Sequence, residues 1–284
     1  MAFRFCGFAD EAGKKVEEQI AATKELGWKG IEIRMVEGQN FCALDDAAFW
    51  TAIGKLQAAG LCVPSFGSAI ANWARPITND FQTDVDDLKR NLPRMKKLGC
   101  KIIRIMSYPN HKEKPWGEAE WKKETLRRLK VLAKMAEDGG VVLGHENCDG
   151  YANTLGTFLE LAEELNSPAF KLIFDTGNQT EHQQSAAGTW DYYQGAKQHI
   201  CHVHIKAARK DPASGRYRFC YPDEDPVQIK VLRDLKARGY DGWLSIEPHL
   251  EAQVHAAKDV GDSQKATWVY IEYGKRLMKM CESL

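Results

Sequence analysis

A single (β/α)8 barrel of the α/β class is the fold this chain predicts, and three observations predict it. Short apolar runs alternate with amphipathic stretches eight times along 284 residues. A glycine stands just beyond most of the helical stretches, where a left-handed residue turns the chain toward the next strand. No linker, composition break or glycine-rich phosphate fingerprint after the first strand interrupts the pattern. An open doubly wound sheet could also seat eight strands. Barrels routinely occupy this length as one unit, however, so residues 1–284 are expected to form one domain.

In order, the first strand is expected at 3–8 (FRFCGF), with a helix at 13–26 that ends at Leu26-Gly27. The second strand, 30–34 (GIEIR), leads to a helix at 46–59 that stops at Gly60, and the third, 62–68 (CVPSFGS), to a helix at 81–98 that stops at Gly99. A fourth strand at 101–106 (KIIRIM) precedes a helix at 118–138, closed by Asp138-Gly139. The fifth and sixth strands, 141–146 (VVLGHE) and 171–175 (KLIFD), are followed by helices at 154–166 and 187–198. The seventh, 201–206 (CHVHIK), precedes a helix at 227–238 closed by Gly239, and the eighth, 243–247 (WLSIE), precedes a helix at 264–281.

Lys plus Arg and Asp plus Glu number 39 each, so no excess of charge argues for nucleic acid or an anionic membrane as partner. The N-terminus has no basic segment followed by a long apolar one, and no window approaches a membrane-spanning length. Eight cysteines are scattered without a C-x-x-C pair, several in expected core strands. Free thiols and a cytoplasmic location are therefore expected.

The chemistry is expected at the strand ends. The stretch 141–150 (VVLGHENCDG) is an apolar run that releases Glu146 at its tip, and the pattern recurs at Asp175, at the His202-x-His204-x-Lys206 run and at Glu247. A lone carboxylate in such a place is commonly a helix cap. Four successive strand ends giving Glu, Asp, His and Glu instead offer the O and N donors that a hard divalent cation takes from several directions. In a barrel these ends share the C-terminal face, where barrel enzymes place their chemistry. Alternation sets His202, His204 and Lys206 on one face of their strand, with His204 nearer the active end and His202 open to satisfaction by a buried carboxylate.

These residues, with Glu32 and Arg34 of the second strand, S-F-G-S of the third and I-I-R-I of the fourth, resemble the xylose isomerase-like TIM-barrel superfamily of sugar isomerases, epimerases and inosose dehydratases. The resemblance covers essentially the whole chain. It implies one divalent ion held by Glu146, Asp175, His204 and Glu247, with manganese first and magnesium, cobalt or zinc as alternatives. It also implies proton exchange by Glu146 and Glu247. Asn178 stands where the epimerases often carry a substrate-contacting histidine, and the arginine that follows their strand-seven histidine has only near matches in Arg209 and Lys210.

Further contacts are read around this set. Lys206 could bind a substrate hydroxyl or steady an enolate oxygen, and Asn178 and His202 are expected beside the substrate. Trp73, in the loop at 68–76, offers a stacking platform for a sugar ring, and Arg104 lies between a substrate contact and an ion pair with Glu32. His145 could swing from a frayed strand end into the pocket as a separate base. The functional expectation is a metal-dependent sugar or cyclitol isomerase or epimerase that removes a proton next to a carbonyl through an enediolate. A lyase, either a 3-keto-glycoside β-eliminase or an inosose-type dehydratase, uses the same first step. Abasic-site DNA cleavage and non-catalytic sugar binding are the remote readings. The expected partner is a small carbohydrate rather than nucleic acid or membrane, and a homo-oligomer is compatible with it.

Overall fold

The computed structural model describes residues 3–182, 185–250 and 263–284. Its strands are β1 (Arg4–Gly7), β2 (Met35–Val36), β3 (Gln39–Asn40), β4 (Ser65–Phe66), β5 (Ile102–Ser107), β6 (Val142–Gly150), β7 (Phe170–Asp175), β8 (Ile200–Ile205), β9 (Ala207–Lys210), β10 (Tyr217–Cys220) and β11 (Trp243–Ile246). The helices are α1 (Val16–Glu25), α2 (Asp46–Ala58), α3 (Gln82–Leu98), α4 (Glu118–Gly139), α5 (Leu155–Leu165), α6 (Asn178–His182), α7 (Ala186–Ala196), α8 (Pro226–Ala237) and α9 (Ser263–Glu282).

Seven strands pair in the order β1-β11-β8-β7-β6-β5-β4, and every pair among them is parallel. The eighth segment, 30–33, lies between the two edges. It bridges to β1 through Phe8 and Glu32, and to the β4 segment through Gly30 and Cys62 and through Ile33 and Phe66. The Glu32 amide donates to the Gly7 carbonyl at 3.1 Å and the Gly67 amide to the Ile33 carbonyl at 2.8 Å, so this segment joins the two edge strands and closes the ring.

Helix starts and stops follow local chemistry. Asp45, Thr154, Ser185 and Asp225 each cap a helix by accepting a backbone N–H. The fourth helix departs from expectation: Gly139 stays helical and Gly140, at φ 66°, makes the left-handed stop. The two adjacent glycines divide the work, because a Cβ at Gly139 would come within 2.6 Å of Leu92 on α3.

Two hairpins and one short helix were not expected. The β9–β10 hairpin grows from the end of β8, with Tyr217 opposite Lys210. Ala207–Lys210 carries no alternation that would mark a strand, although Arg216 to Phe219 alternates polar and aromatic residues behind the turn residues Asp211 to Gly215. The β2–β3 hairpin has strands of two residues each, and α6 is one turn tucked behind Asp175.

Phe49, Phe66, Leu132, Phe158, Phe174 and Leu232 are among the buried side chains of an apolar cluster between sheet and helices. The interior of the ring is different. Where barrels ordinarily stack branched aliphatic residues, Glu32, Arg34, Arg104, Glu146, Asp175, His202, His204, Lys206 and Glu247 are all 3% exposed or less. No described helix is long and apolar enough to cross a membrane.

Candidate metal centre

Glu146, Asp175, His204 and Glu247 come from four strands that are consecutive in the ring, β6, β7, β8 and β11, with Glu247 directly after the last. Each offers one ligand atom, and these atoms all lie within 4.8 Å of one another. All four side chains are buried. Glu146 and Glu247 stand at the two ends of this arc, with Asp175 and His204 between them.

Local structure aims each group. The Asp175 Oδ1 accepts the backbone N–H groups of Gly177 and Asn178 at 2.9 and 2.7 Å, which fixes the carboxylate and leaves Oδ2 facing inward. Gly177 is required there, because a Cβ would meet the Lys206 carbonyl at 2.3 Å. The Asn178 amide donates to Glu146 Oε1 at 3.2 Å, so this residue does reach the quartet. His204 Nδ1 points at Glu146 Oε1, 3.5 Å away, while its Nε2 sits 3.3 Å from Glu32. A carboxylate behind an imidazole holds the tautomer whose other nitrogen faces the site. Burial opposes the charge on His204, yet Glu32 and Glu146 outweigh it and raise the pKa to about 10.

Three buried cations balance the carboxylates. Arg104 donates to Glu146 Oε2 at 3.2 Å. The expected partner, Glu32, is instead bound by His202 Nε2 at 2.8 Å and by His204. Arg34 donates to Glu247 Oε1 at 2.5 Å and to Asp10 Oδ2 at 2.9 Å. Lys206 Nζ lies 2.8 Å from Glu247 Oε2 and 3.3 Å from Asp175 Oδ2, and donates to Asn178 Oδ1 at 3.0 Å. Burial raises a carboxyl pKa, but Arg104 and His204 together more than offset it at Glu146, which falls to about 2. At Glu247 the same competition against Lys206, His249 and Arg34 ends well below the ordinary value. At Asp175 burial prevails over Lys206, and the pKa rises.

One expectation needs correction. His145 does not turn toward the pocket: its ring is fully buried between β6 and the helices, 5.7 Å from Phe158 and 5.6 Å from Phe170 between centroids. The strand does not fray at Glu146 but continues to Gly150, and alternation sends neighbours to opposite faces. Burial pulls the His145 pKa down to about 4. His202 is fully buried beside His204, with its Nε2 bound to Glu32. Trp73 is half-buried in the turn after β4.

Three residues next to the site were missed. Asp10 and Glu11 follow the first strand and hold Arg34. Glu11 also accepts the His249 amide and faces His249 Nδ1, both at 2.8 Å. These contacts secure His249 at a φ of 53°, a left-handed conformation that costs a non-glycine residue about 1–3 kcal/mol. His249 Nε2 lies 3.7 Å from Glu247 Oε1. The signal was available, since A-D-E and E-P-H both place ionisable groups immediately past a strand end.

The donor set fits a divalent ion. Ligands about 2.1 Å from one ion span at most about 4.2 Å, so a spread of 4.8 Å needs only slight contraction. Asp175 Oδ2, Glu247 Oε2 and His204 Nδ1 are buried atoms without a hydrogen bond of good geometry, although the Lys206 ammonium is ion-paired to the two oxygens. A cation has thus already collected at the carboxylates.

The model of one protein family, the Xylose isomerase-like TIM barrel, matches residues 20–268. The chain belongs to this family. An uncharacterized protein of Methanocaldococcus jannaschii, MJ1311, is 24% identical over 202 residues, which span 63% of this chain and 64% of that protein. Among solved structures, a xylose isomerase-like TIM-barrel protein from Mycobacterium smegmatis in complex with magnesium superposes with a TM-score of 0.72 at 16% identity, covering 100% and 97% of the two chains. The probable 3-DHS dehydratase AsbF of Bacillus anthracis gives 0.70 at 17% identity and 98% coverage of both chains. An L-ribulose 3-epimerase gives 0.70 at 18% identity, covering 100% and 97%. At these identities the superpositions establish a xylose isomerase-like fold.

Proposed function

We propose that this protein is a divalent-metal-dependent isomerase or epimerase of a sugar or cyclitol, acting by proton transfer at a carbon next to a carbonyl. The convergence of Glu146, Asp175, His204 and Glu247 carries the reading. Such an ion, when bound, acidifies the C–H between a carbonyl and its neighbouring hydroxyl by stabilising the enediolate. Glu146 and Glu247, both ionised, flank that position from the two ends of the four-strand arc. One removes the proton and later releases it to solvent, and the other, first protonated from solvent, delivers a proton on the opposite face, which inverts the carbon. Lys206 and Asn178 hold substrate oxygens, and the ion-paired Arg104 and Arg34 keep the two glutamates ionised and oriented. The epimerase among the structural neighbours supports this reading. The partner is a small carbohydrate rather than nucleic acid or a membrane.

A lyase is the second reading, favoured by the Glu11–His249 pair beside Glu247. Elimination begins with the same proton removal but needs a second group to protonate a leaving oxygen, and His249, with Nε2 3.7 Å from Glu247 Oε1, is the candidate for that role. The dehydratase neighbour supports this ending. Incubating the manganese-loaded protein with ketoses and 3-keto-glycosides in deuterated water separates the two. Deuterium in a stereoisomer supports epimerisation, and release of water or an aglycone supports elimination. Glu146→Gln and Glu247→Gln should each slow the exchange by roughly 100-fold or more. Turnover indifferent to chelator would refute both readings.

A further inference from the structure

Lys206 is 2% exposed and meets inward-facing oxygens of two quartet members at once. Arg34 takes the outer oxygen of Glu247, and Arg104 holds Glu146 by Oε2 while Oε1 turns inward. Those two guanidiniums support the carboxylates from outside. The ammonium of Lys206 instead lies on Glu247 Oε2 and Asp175 Oδ2, the oxygens that an ion would require. An ion about 2.1 Å from both would face a like charge within a few ångströms in a low-dielectric interior, an arrangement strongly disfavoured. Two other features can receive the ammonium once it leaves the carboxylates: Asn178 Oδ1 at 3.0 Å and the Phe219 ring, whose centroid is 5.8 Å from Nζ.

We propose that Lys206 is a built-in competitor for the divalent ion, which neutralises Asp175 and Glu247 and must yield these oxygens before the ion binds. The inference rests on the metal-dependent reading above and adds a residue that sets the affinity. The physical consequence is a compromise. The ammonium lets two carboxylates, Asp175 and Glu247, be buried together without an ion, and it weakens the ion's hold by the cost of its displacement.

The test is titration of chelator-stripped full-length protein with Mn2+, followed by the free-ion electron paramagnetic resonance signal, for the wild type, Lys206→Met, Lys206→Gln and Lys206→Arg. Both neutral variants should bind ~10-fold tighter or more, whereas Lys206→Arg, which keeps the charge, should not. The melting temperature of Lys206→Met without ion should fall below that of the wild type, and Mn2+ should raise it by more. If Lys206→Met fails to fold without ion, Lys206→Gln provides the same comparison. Unchanged or weaker Mn2+ binding by the neutral variants overturns the inference and leaves the metal reading standing. Absence of Mn2+ binding by all four folded proteins overturns both.

Discussion

Glu32 serves two imidazoles at once, and what it does to His204 can be read in the pH dependence of metal binding. Burial favours neutral His204, but Glu32 holds a proton on it to about pH 10. An ion needs the bare Nδ1, so binding displaces that proton and strengthens as pH rises. From pH 7 to 9 the Mn2+ affinity should increase by up to about tenfold per unit, with release of about one proton measurable by calorimetry in buffers of different ionisation enthalpy. In Glu32→Gln the steep range should move to lower pH. Affinity that does not change with pH in the wild type would contradict this pairing. The same raised value has a sign for the metal-free fold: its stabilising contribution is complete below about pH 6.5 and is lost as pH climbs through about 10.

Strand β6 shows how one element sorts neighbouring residues into different layers. Glu146 faces the ring interior, and His145 is packed between Phe158 and Phe170 with neither ring nitrogen hydrogen-bonded. Its pKa of about 4 lies below the ordinary value, so the unfolded chain takes up the proton more readily. The corresponding stability is full above about pH 6.5 and falls away as the pH drops toward 4. His145→Leu should therefore leave exchange activity within about twofold of wild type and flatten the loss of melting temperature between pH 7 and 5, because burial then costs no imidazole desolvation. A large loss of activity in the folded variant would return His145 to the catalytic list. The elements themselves were legible because their signals are local. The expected 118–138 stretch and the observed Glu118–Gly139 differ by one residue, decided by which of two glycines turns left-handed. The β9–β10 hairpin was legible only in part, since Arg216 to Phe219 alternates polar and aromatic residues whereas its partner, Ala207–Lys210, carries no such pattern.

Across the molecule, the ring closes only when 30–33 joins β1 to β4, and closure carries Glu32 and Arg34 into the interior. The site is consequently a load shared by the whole barrel. An ion that binds only the folded state stabilises it by mass action, so a free concentration about 100 times Kd should add about 2.7 kcal/mol. Calorimetric melting with Mn2+ and with chelator should differ by several degrees in the same direction. Identical melting temperatures under saturating ion would count against the quartet as a metal site.

Four strand-tip ligand positions were visible in the chain because a period of two and an apolar run that stops at a carboxylate are properties of consecutive residues. The quartet did converge, as the eightfold alternation led one to expect. The pairings around it could not be read that way. Arg34 and Glu247 are 213 positions apart, Arg104 and Glu146 42, and Glu32 and His202 170. Which cation meets which carboxylate depends on strand register and on ring closure, and both are settled only when distant segments pack together. The sequence by itself therefore determined the barrel and the residues at its mouth. The tertiary structure alone decided that Arg104 holds Glu146, that Glu32 supports both histidines, and that Lys206 lies on the oxygens an ion would claim.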